Sequence, residues 1–395
     1  MTNHFPYEDI VKAIKSVLPE NLPVVPLHEP NFNGNEWAYV KECLDSGWVS
    51  SVGAYVDRFE DLLIEYTGVK HAVAVVNGTA ALHVCLLLAG VKPGDEVLVP
   101  TLTFVATANA VVYCGATPHF VDSAISTLGV DPTKLDEYLQ ETVTVNHDGC
   151  YNKVTGRPIR ALVPMHTFGH PVDLDGIVEV CNKYRLLLVE DAAESLGSFY
   201  KEKHTGHHGL LSALSFNGNK VVTSGGGGAI LTNNEDLGRL AKHLTTTARV
   251  AHPWELRHDL VAYNYRMPNI NAALGCAQLE QLPSFITQKR ILAKRYQKAL
   301  VSVSGATFFT EPKSARSNYW LNTLLLDQNF VGQRDSLLEI LGSNGVQARP
   351  AWTPMHRLPM FQDCPRMDLS TSENLVSRII NIPSSAVLGG DVLDA

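Results

Sequence analysis

Residues 214–231 read LSFNGNKVVTSGGGGAIL and place one lysine, Lys220, between an apolar run and four consecutive glycines. The flanking segments LSALSF and GGAILTN are short and apolar, as is typical of strands buried in a sheet. Because glycine has no side chain, the glycines at 225–228 let the chain pass close to a neighbouring group. A packed core needs neither this lysine nor a run of glycines. The stretch therefore indicates a ligand site at the end of a strand.

Strand and helix patterns alternate through most of the chain before this stretch. The strand-like segments are HAVAVV, DEVLVP, TPHFVD, RALVPMH and LLLVED, and segments with apolar residues at helical spacing lie between them. Short, continuously apolar strands separated by helices indicate a mostly parallel sheet that is covered on both faces. The sequence therefore predicts an α/β fold.

The pattern changes near Met267, where NINAALGCAQLEQLPSFITQKRILAKRYQKAL keeps helical spacing over a long stretch. Less regular strand and turn signals follow to the end of the chain. We predict an N-terminal arm at residues 1–30, a large domain at 31–270, and a linking helix with a smaller C-terminal domain at 271–395.

Composition narrows the class of protein. The 395 residues are 45% hydrophobic and 18% charged, with a formal net charge of -8, which argues against the basic face of a nucleic-acid-binding protein. The first residues lack the pattern of a signal peptide, and no apolar run is long enough for a membrane span. We expect a cytoplasmic protein with a small soluble ligand. The seven scattered cysteines favour buried, reduced thiols.

Ligands of open parallel sheets bind beyond the carboxyl ends of the strands, so the residues that follow each strand are the candidates. Gly78 and Thr79 come where the first strand turns into a helix, a position that suits an anion such as phosphate, although an ordinary helix cap has the same pattern. Phe104 stands at a second such turn, where core packing is the simpler interpretation.

Charged residues follow two further strands. Glu190 and Asp191 end LLLVED and need a cationic partner or a solvated cleft; the alternatives are a structural salt bridge and a cap for a helix in AAESLG. Ser215 ends LSALSF, and Lys220 follows it in a polar loop, where a surface lysine is the default explanation. Together, a phosphate site, an acid and a lysine amine match what pyridoxal phosphate requires.

The sequence resembles the pyridoxal-phosphate sugar aminotransferases of the DegT/DnrJ/StrS type over nearly its full length. The resemblance is carried by WVSSVGAYVDRFE, VVNGTAALH, PTLTFVATANA, PHFVD, VEDAAESLGS, SFNGNKVVTSGGGGAIL and YNYRMPNINAALGCAQLEQL. It implies the aspartate-aminotransferase-like fold type I, which has a large seven-stranded mixed sheet and a smaller C-terminal α+β domain.

The resemblance also implies a role for each matching residue. Lys220 would form the Schiff base with pyridoxal 5'-phosphate and move the catalytic proton, and Asp191 would pair with the ring nitrogen. The remaining cofactor contacts would be Phe104 and Ala193 on the ring, Glu194 near the ring hydroxyl, Gly78, Thr79 and Ser215 on the phosphate, and Asn264 from the neighbouring subunit of a homodimer.

Substrate contacts and metal binding are less clearly marked. The stretch RPAWTPMHRLPMF, with Arg349, Trp352 and His356, resembles the C-terminal part of the family's nucleotide-sugar pocket. The histidines of HTGHHG, at 204, 207 and 208, lack the acids and the regular spacing of a zinc site, so we interpret them as solvated loop residues and predict no metal.

The activity implied is transfer of the amino group of L-glutamate to a nucleotide-linked 4-keto-6-deoxy sugar for surface-glycan synthesis. Within the family the sequence resembles the LegC-type enzymes most, which implies UDP-2-acetamido-2,6-dideoxy-hexos-4-ulose and bacillosamine- or legionaminic-type products. The alternatives are a GDP- or dTDP-4-keto-6-deoxyhexose, as in perosamine synthesis, and a non-catalytic regulatory protein on the same fold. Lys220 argues against the related sugar dehydratases, which have histidine there.

Overall fold

The computed structural model describes residues 5–20 and 22–390. Its α-helices are α1 Tyr7–Lys15, α2 Glu36–Ser46, α3 Ala54–Thr67, α4 Gly78–Leu88, α5 Val105–Tyr113, α6 Pro132–Thr142, α7 Leu174–Tyr184, α8 Glu235–Thr245, α9 Asn269–Leu300, α10 Arg334–Ser343 and α11 Ser370–Val376.

Its strands are β1 His71–Val75, β2 Glu96–Pro100, β3 Thr117–Val121, β4 Val143–Asn146, β5 Gly149–Asn152, β6 Pro158–Leu162, β7 Leu187–Asp191, β8 Phe199–Tyr200, β9 Lys203–His204, β10 Leu211–Ser215, β11 Gly228–Thr232, β12 Arg249–Val250, β13 Arg257–His258, β14 Ala306–Phe308, β15 Ala315–Arg316, β16 Asn322–Leu326, β17 Arg349–Pro350 and β18 Ile379–Ile382.

The large sheet has the order β1-β11-β10-β7-β6-β2-β3. Strands β10, β7, β6, β2 and β3 are mutually parallel, and β11 runs antiparallel to both of its neighbours. The predicted α/β class and the mostly parallel mixed sheet are therefore confirmed. The sheet has nine strands rather than the expected seven, because the hairpin β4–β5 pairs onto β6.

Helices cover both faces of this sheet, which explains why its strands are almost continuously apolar. One face packs in a core that contains Phe59 of α3 and Leu282 of α9, and the other packs in a core that contains Leu86 of α4 and Val111 of α5. Strands buried on both faces cannot show the alternation of a half-exposed sheet. The carboxyl ends of β1, β2, β7 and β10 consequently meet at one edge.

A second sheet, in the order β14-β16-β18-β17, lies in the C-terminal part of the chain. It shares a core with α1, in which Ile10 and Ile14 pack with Tyr296 of α9 and Leu324 of β16. The N-terminal segment is thus packed against this sheet through a helix. We propose the start of α9 as the boundary between a large domain and a small one, close to the predicted residue 270.

Two further properties concern the whole described chain. Between residues 5 and 390, Asn21 aside, no helix combines the length and the hydropathy that a bilayer crossing needs. All seven cysteines are free thiols; six are buried and Cys364 is half-buried.

Candidate active site

A cavity of about 330 Å³ lies at the sheet edge where β1, β2, β7 and β10 end. This volume is within the usual range for a small-ligand site. Of the residues predicted from the sequence, the cavity brings together Gly78, Thr79, Phe104, Asp191, Ala193, Glu194, Ser215, Lys220 and Trp352.

One end of the cavity is the start of α4, directly after β1. Asn77 caps this helix, because its side-chain oxygen accepts a hydrogen bond from the Ala80 amide at 2.8 Å. The first amides of a helix, here those of Gly78 and Thr79, have no partner within the helix and favour an anion. A Cβ on Gly78 would lie 2.9 Å from Cβ of Ser215, so only glycine lets the helix start approach the end of β10.

Close packing also explains part of the glycine run at 225–228. Gly226 and Gly227 line the cavity, as the sequence suggested. At Gly228, however, a Cβ would overlap the backbone of Asn77, and at Gly227 it would overlap Ser224 and Met267. These two glycines therefore allow close contact within the protein itself, which holds the start of α4 against β11.

The acid of the site is Asp191, the last residue of β7. It is 3% exposed, and its oxygens accept hydrogen bonds from the Thr107 hydroxyl at 2.7 Å and the Ala193 amide at 3.2 Å. Burial raises the pKa of Asp191 above its ordinary value. In the described part of the chain no lysine, arginine or histidine forms an ion pair with this carboxyl group. A buried acid in this position is suited to a cationic N–H group of a ligand.

Its neighbour Glu190 has a structural role instead. The side chain is fully buried and accepts hydrogen bonds from His166 Nε2 at 3.0 Å and from the amides of Gly206, His208 and Gly209. Burial alone would raise the pKa of Glu190, but these donors and the His166 charge outweigh it and lower the pKa to about 2. Glu190 therefore holds the loop between β9 and β10.

Lys220 enters the cavity from the turn after β10. Its Nζ lies 3.3 Å from Oε1 of Glu194 and 4.0 Å from the centroid of the Trp320 ring. The other oxygen of Glu194 accepts a hydrogen bond from the Phe168 amide at 2.9 Å. Burial raises the pKa of Glu194 to about 7, although the charge of Lys220 and the Phe168 hydrogen bond oppose the shift. The amine thus lies between an acid that titrates near neutral pH and an aromatic face.

Phe104 is not packed in the core, in contrast to the simpler interpretation of the sequence. It is the N-cap of α5 and is 51% exposed while lining the cavity, as Ala193 also does. A large exposed aromatic ring over a cavity is a suitable surface for a flat ligand.

These features fit pyridoxal phosphate. The start of α4 with Ser215 suits its phosphate group, Asp191 suits a protonated ring nitrogen, and Lys220 suits its aldehyde. The buried acid without a cationic partner is the most informative of the three, since a buried carboxyl group otherwise requires a structural partner.

Sequence reasoning missed two residues that contact this machinery. The Thr107 hydroxyl donates to Asp191. Thr107 lies in the first turn of α5, directly after the predicted site residue Phe104, and this position in the sequence could have indicated it. Trp320, which stacks on Lys220, comes from the distant segment before β16; its indole N–H donates to the Asn219 carbonyl at 2.6 Å. No pattern near Lys220 in the sequence indicates this tryptophan.

Three predicted residues lie outside the cavity. Asn264 is exposed and lies in a bridge with Thr246. Arg349 lines a neighbouring cavity. His356 lines neither, because its ring is hydrogen-bonded to the Thr101 hydroxyl and to Glu373, both at 2.7 Å. The structure therefore does not support His356 as a substrate contact.

The histidines after β8 also require a correction. His204 is 1% exposed and accepts a hydrogen bond from the Gly197 amide, so its description as a solvated loop residue was wrong. Burial lowers the pKa of His204 to about 4. Across residues 5–20 and 22–390, no cluster of three or more histidine, cysteine or acidic side chains has the arrangement of a metal site.

Comparison with known proteins decides the family. The sequence profile of the DegT/DnrJ/EryC1/StrS aminotransferase family matches residues 30–395. The chain belongs to this family. It is therefore a sugar aminotransferase that depends on pyridoxal phosphate, as predicted.

Individual relatives extend over most of the chain. It is 38% identical to a GDP-perosamine synthase of Vibrio cholerae over 91% of this chain and 94% of that protein. It is also 38% identical to a GDP-perosamine synthase of Escherichia coli O157:H7, over 93% and 95%. The aminotransferase TlmJ from Streptoalloteichus hindustanus has the same fold, with a TM-score of 0.82, 27% identity and coverage of 91% and 93%.

Proposed function

We propose that this protein transfers the amino group of L-glutamate to the 4-keto carbon of a nucleotide-linked 4-keto-6-deoxy sugar. The observation that carries the proposal is the single cavity that holds the Lys220 amine, the buried Asp191 carboxyl group and the start of α4. Membership of a family of sugar aminotransferases supports it.

The relatives bear on the nucleotide. Both GDP-perosamine synthases named above align over more than nine tenths of this chain, which favours a GDP-linked 4-keto-6-deoxyhexose. The sequence alone favours a UDP-linked N-acetylhexosulose, with a GDP- or dTDP-linked 4-keto-6-deoxyhexose as the alternative, but these relatives favour the GDP-linked sugar. The UDP- and dTDP-linked sugars remain as the competing substrates in the experiment.

Pyridoxal phosphate, when bound, supplies an aldehyde that joins amines and a ring that accepts electrons. Gly78, Thr79 and Ser215 would hold its phosphate group, and Asp191 would hold the protonated ring nitrogen. Phe104 and Ala193 would position the ring. Only 14% of the Lys220 side chain is exposed, so its amine lies largely shielded from water.

The proton transfers fall to Lys220 and Glu194. The Lys220 amine would move a proton between the substrate carbon and the cofactor carbon, in one direction in the glutamate half-reaction and in the opposite direction in the sugar half-reaction. Glu194 lies 3.3 Å from Nζ, and its pKa of about 7 means that a neutral and an ionised carboxyl group are both populated beside the amine near neutral pH. Trp320 keeps Nζ near the reacting carbon through its ring.

We further propose a homodimer with shared sites, in which Asn264 serves the cofactor of the neighbouring subunit. Asn264 is exposed and lies outside the cavity of its own chain, so its side chain is accessible to a neighbouring subunit.

The first experiment tests cofactor attachment. Purified protein with pyridoxal phosphate should absorb in the visible, and borohydride should attach the cofactor to the peptide that contains Lys220. The Lys220→Ala variant is the control and should show neither attachment of the cofactor by borohydride nor transamination. Transamination by this variant would contradict the assignment of the base.

The second experiment tests the substrate. The protein is incubated with L-glutamate and with GDP-, UDP- or dTDP-linked 4-keto-6-deoxy sugars, and the products are resolved by mass and NMR. We expect amination of the GDP-linked sugar. Amination of the UDP-linked N-acetyl sugar alone would restore the first interpretation, and no turnover with any sugar would favour the regulatory one.

A further inference from the structure

A second cavity, of about 520 Å³, adjoins the cofactor cavity and is called the outer cavity below. Asn219, Trp320 and Trp352 line both cavities. The N-terminal segment forms another part of the wall, through Leu27 and His28. Both residues precede residue 30, where the match to the family profile begins. This part of the wall therefore lies outside the sequence that defines the family.

Hydrogen bonds on both sides of His28 hold its backbone in place. The Leu27 carbonyl accepts from the Ser384 amide at 2.7 Å, and the Glu29 amide donates to the Ser385 hydroxyl at 2.8 Å. Both serines follow β18 of the small sheet. The N-terminal segment is thus attached to this sheet beside the outer cavity, which limits where the imidazole ring of His28 can lie.

The imidazole ring has one accessible nitrogen that is free to bind a ligand. Nδ1 of His28 is buried and, among the described residues, has no hydrogen-bond partner. Nε2 has no partner among them either, but it is not buried, so it is the nitrogen that a ligand can contact. Burial, followed by the charges of Lys289 and Lys220, lowers the pKa of His28 well below its ordinary value. The ring is therefore uncharged near neutral pH, and it suits a hydroxyl or amide group.

The aromatic part of the wall suits a sugar ring. The ring centroids of Phe168 and Trp352 lie 5.0 Å apart, with an angle of 30° between the planes. Trp320 also lines the outer cavity, and its ring centroid lies 4.0 Å from Nζ of Lys220. The C–H groups of a pyranose pack on aromatic faces, while its hydroxyl groups need polar partners at a few positions. His28 provides such a partner.

We propose that Nε2 of His28 hydrogen-bonds an uncharged hydroxyl or acylamino group of the sugar and so contributes to the choice of substrate. The inference rests on the proposed transamination and adds a residue that recognises the sugar itself. In a nucleotide-linked 4-keto-6-deoxyhexose, C1 carries the nucleotide and C6 has no hydroxyl group, so the uncharged polar substituents are those of C2 and C3. C3 is bonded to the keto carbon, which must lie beside Lys220, and C2 is bonded to C3. Both substituents therefore lie near the reacting carbon.

L-glutamate is the other substrate that could enter the outer cavity. Apart from the reacting amine, its polar groups are two carboxylates. A charged donor binds a carboxylate more strongly than a neutral imidazole does, so His28 is better suited to the sugar. The experiment below distinguishes the two substrates.

The first test compares the two half-reactions in holoenzyme. For His28→Leu, we expect the KM for the nucleotide sugar to rise about 5- to 150-fold, because a buried polar group left without a partner costs about 1–3 kcal/mol. The L-glutamate half-reaction should stay within about twofold of wild type. Glu29→Gln changes the exposed neighbour of His28 and is the matched control, which should behave as wild type.

Two polar substitutions identify the nitrogen involved. The side-chain amide of glutamine reaches the position of Nε2, whereas that of the shorter asparagine reaches only the position of Nδ1. His28→Gln should therefore retain most of the affinity for the sugar, and His28→Asn should behave like His28→Leu. Equal KM values for the glutamine and asparagine variants would contradict the role of Nε2.

Altered substrates test the same contact from the other side. Analogues of the nucleotide sugar that lack the C2 or the C3 substituent remove the sugar group instead of the residue. One of them should raise the KM of wild-type enzyme about as much as His28→Leu does. The same analogue should cause little further loss in His28→Leu, because both changes remove one interaction. If both analogues lose as much affinity in the variant as in wild type, the proposal is overturned.

The remaining outcomes separate the inference from the proposed function. If His28→Leu changes only the L-glutamate half-reaction, or only the free energy of unfolding, His28 does not recognise the sugar and the inference is wrong, while the transaminase assignment stands. If wild-type enzyme does not aminate its cofactor with L-glutamate or any other amino donor, the proposed function itself fails.

Discussion

Nζ of Lys220 and Oε1 of Glu194 lie 3.3 Å apart with the carboxyl group almost fully buried. Burial raises the pKa of Glu194 from its ordinary 4.5 to about 7, even though the lysine charge acts in the opposite direction. The acid is therefore partly protonated at neutral pH.

This pair predicts how the stability of the cofactor-free protein depends on pH. Since the pKa of Glu194 is higher in the folded chain than in the unfolded chain, its contribution to folding is present below about pH 4.5 and is lost as the pH rises through about 7. For Glu194→Gln, the decline of the free energy of unfolding between about pH 5 and pH 7.5 should be smaller by on the order of 3 kcal/mol. Urea unfolding at several pH values measures this. Glu339→Gln, an exposed glutamate on α10, is the control, and parallel pH curves for wild type and Glu194→Gln would contradict the prediction.

Asp191 predicts a large catalytic effect. Asp191→Asn removes the negative charge that is proposed to pair with the protonated ring nitrogen. We expect kcat to fall at least about 100-fold, which is the size of effect seen when other enzymes lose one electrostatic group of the active site. Thr107→Val keeps the charge but removes one hydrogen bond to it, and kcat should fall about tenfold. Stopped-flow absorbance of each half-reaction measures both effects. A Thr107→Val effect as large as that of Asp191→Asn would show that the variant disturbs more than this hydrogen bond.

Trp320 predicts a smaller effect that depends on the aromatic ring. Its ring lies 4.0 Å from Nζ of Lys220, a cation–π contact that contributes about 0.5–2 kcal/mol. Trp320→Leu should therefore lower kcat about 2- to 30-fold. Trp320→Phe retains an aromatic face and should lose less. If phenylalanine and leucine have the same effect, the ring face is not what positions the amine.

His356 predicts a change in stability without a change in kinetics. Its ring links Thr101, after β2, to Glu373 in α11. His356→Gln should reduce the free energy of unfolding by about 1–2 kcal/mol through the lost hydrogen bonds. Steady-state assays should give KM values for both substrates within about twofold of wild type. A selective rise in the KM of the nucleotide sugar would restore His356 as a substrate contact.

Asn264 predicts complementation between subunits. In a dimer with shared sites, a hybrid of one Lys220→Ala chain and one Asn264→Ala chain has one site with both changes and one intact site. If Asn264→Ala alone is inactive, an equal mixture that exchanges subunits freely should recover about a quarter of wild-type activity, since about half of the dimers are hybrids. Assays before and after mixing measure it, with each variant alone as the control. No recovery despite subunit exchange would place Asn264 outside the shared site.

The sequence by itself determined the alternation of strands and helices and the strand ends that carry the site. Its apolar strands could only be buried in a covered sheet, and parallel strands bring their carboxyl ends to one edge. Lys220, Asp191, Gly78 and Ser215 could therefore be placed together before the structure was known, and the structure does bring them together.

Only the tertiary structure showed which of two adjacent acids enters the cavity and which distant segments of the chain contact the site. Adjacent residues of a strand point to opposite faces, so the sequence shows an acidic pair but not that Glu190 holds a loop while Asp191 enters the cavity. Trp320 reaches Lys220 from 100 residues farther along the chain, and His356 turns away from the cavity towards Glu373. Such contacts depend on how the small sheet packs against the large one, which no local pattern records.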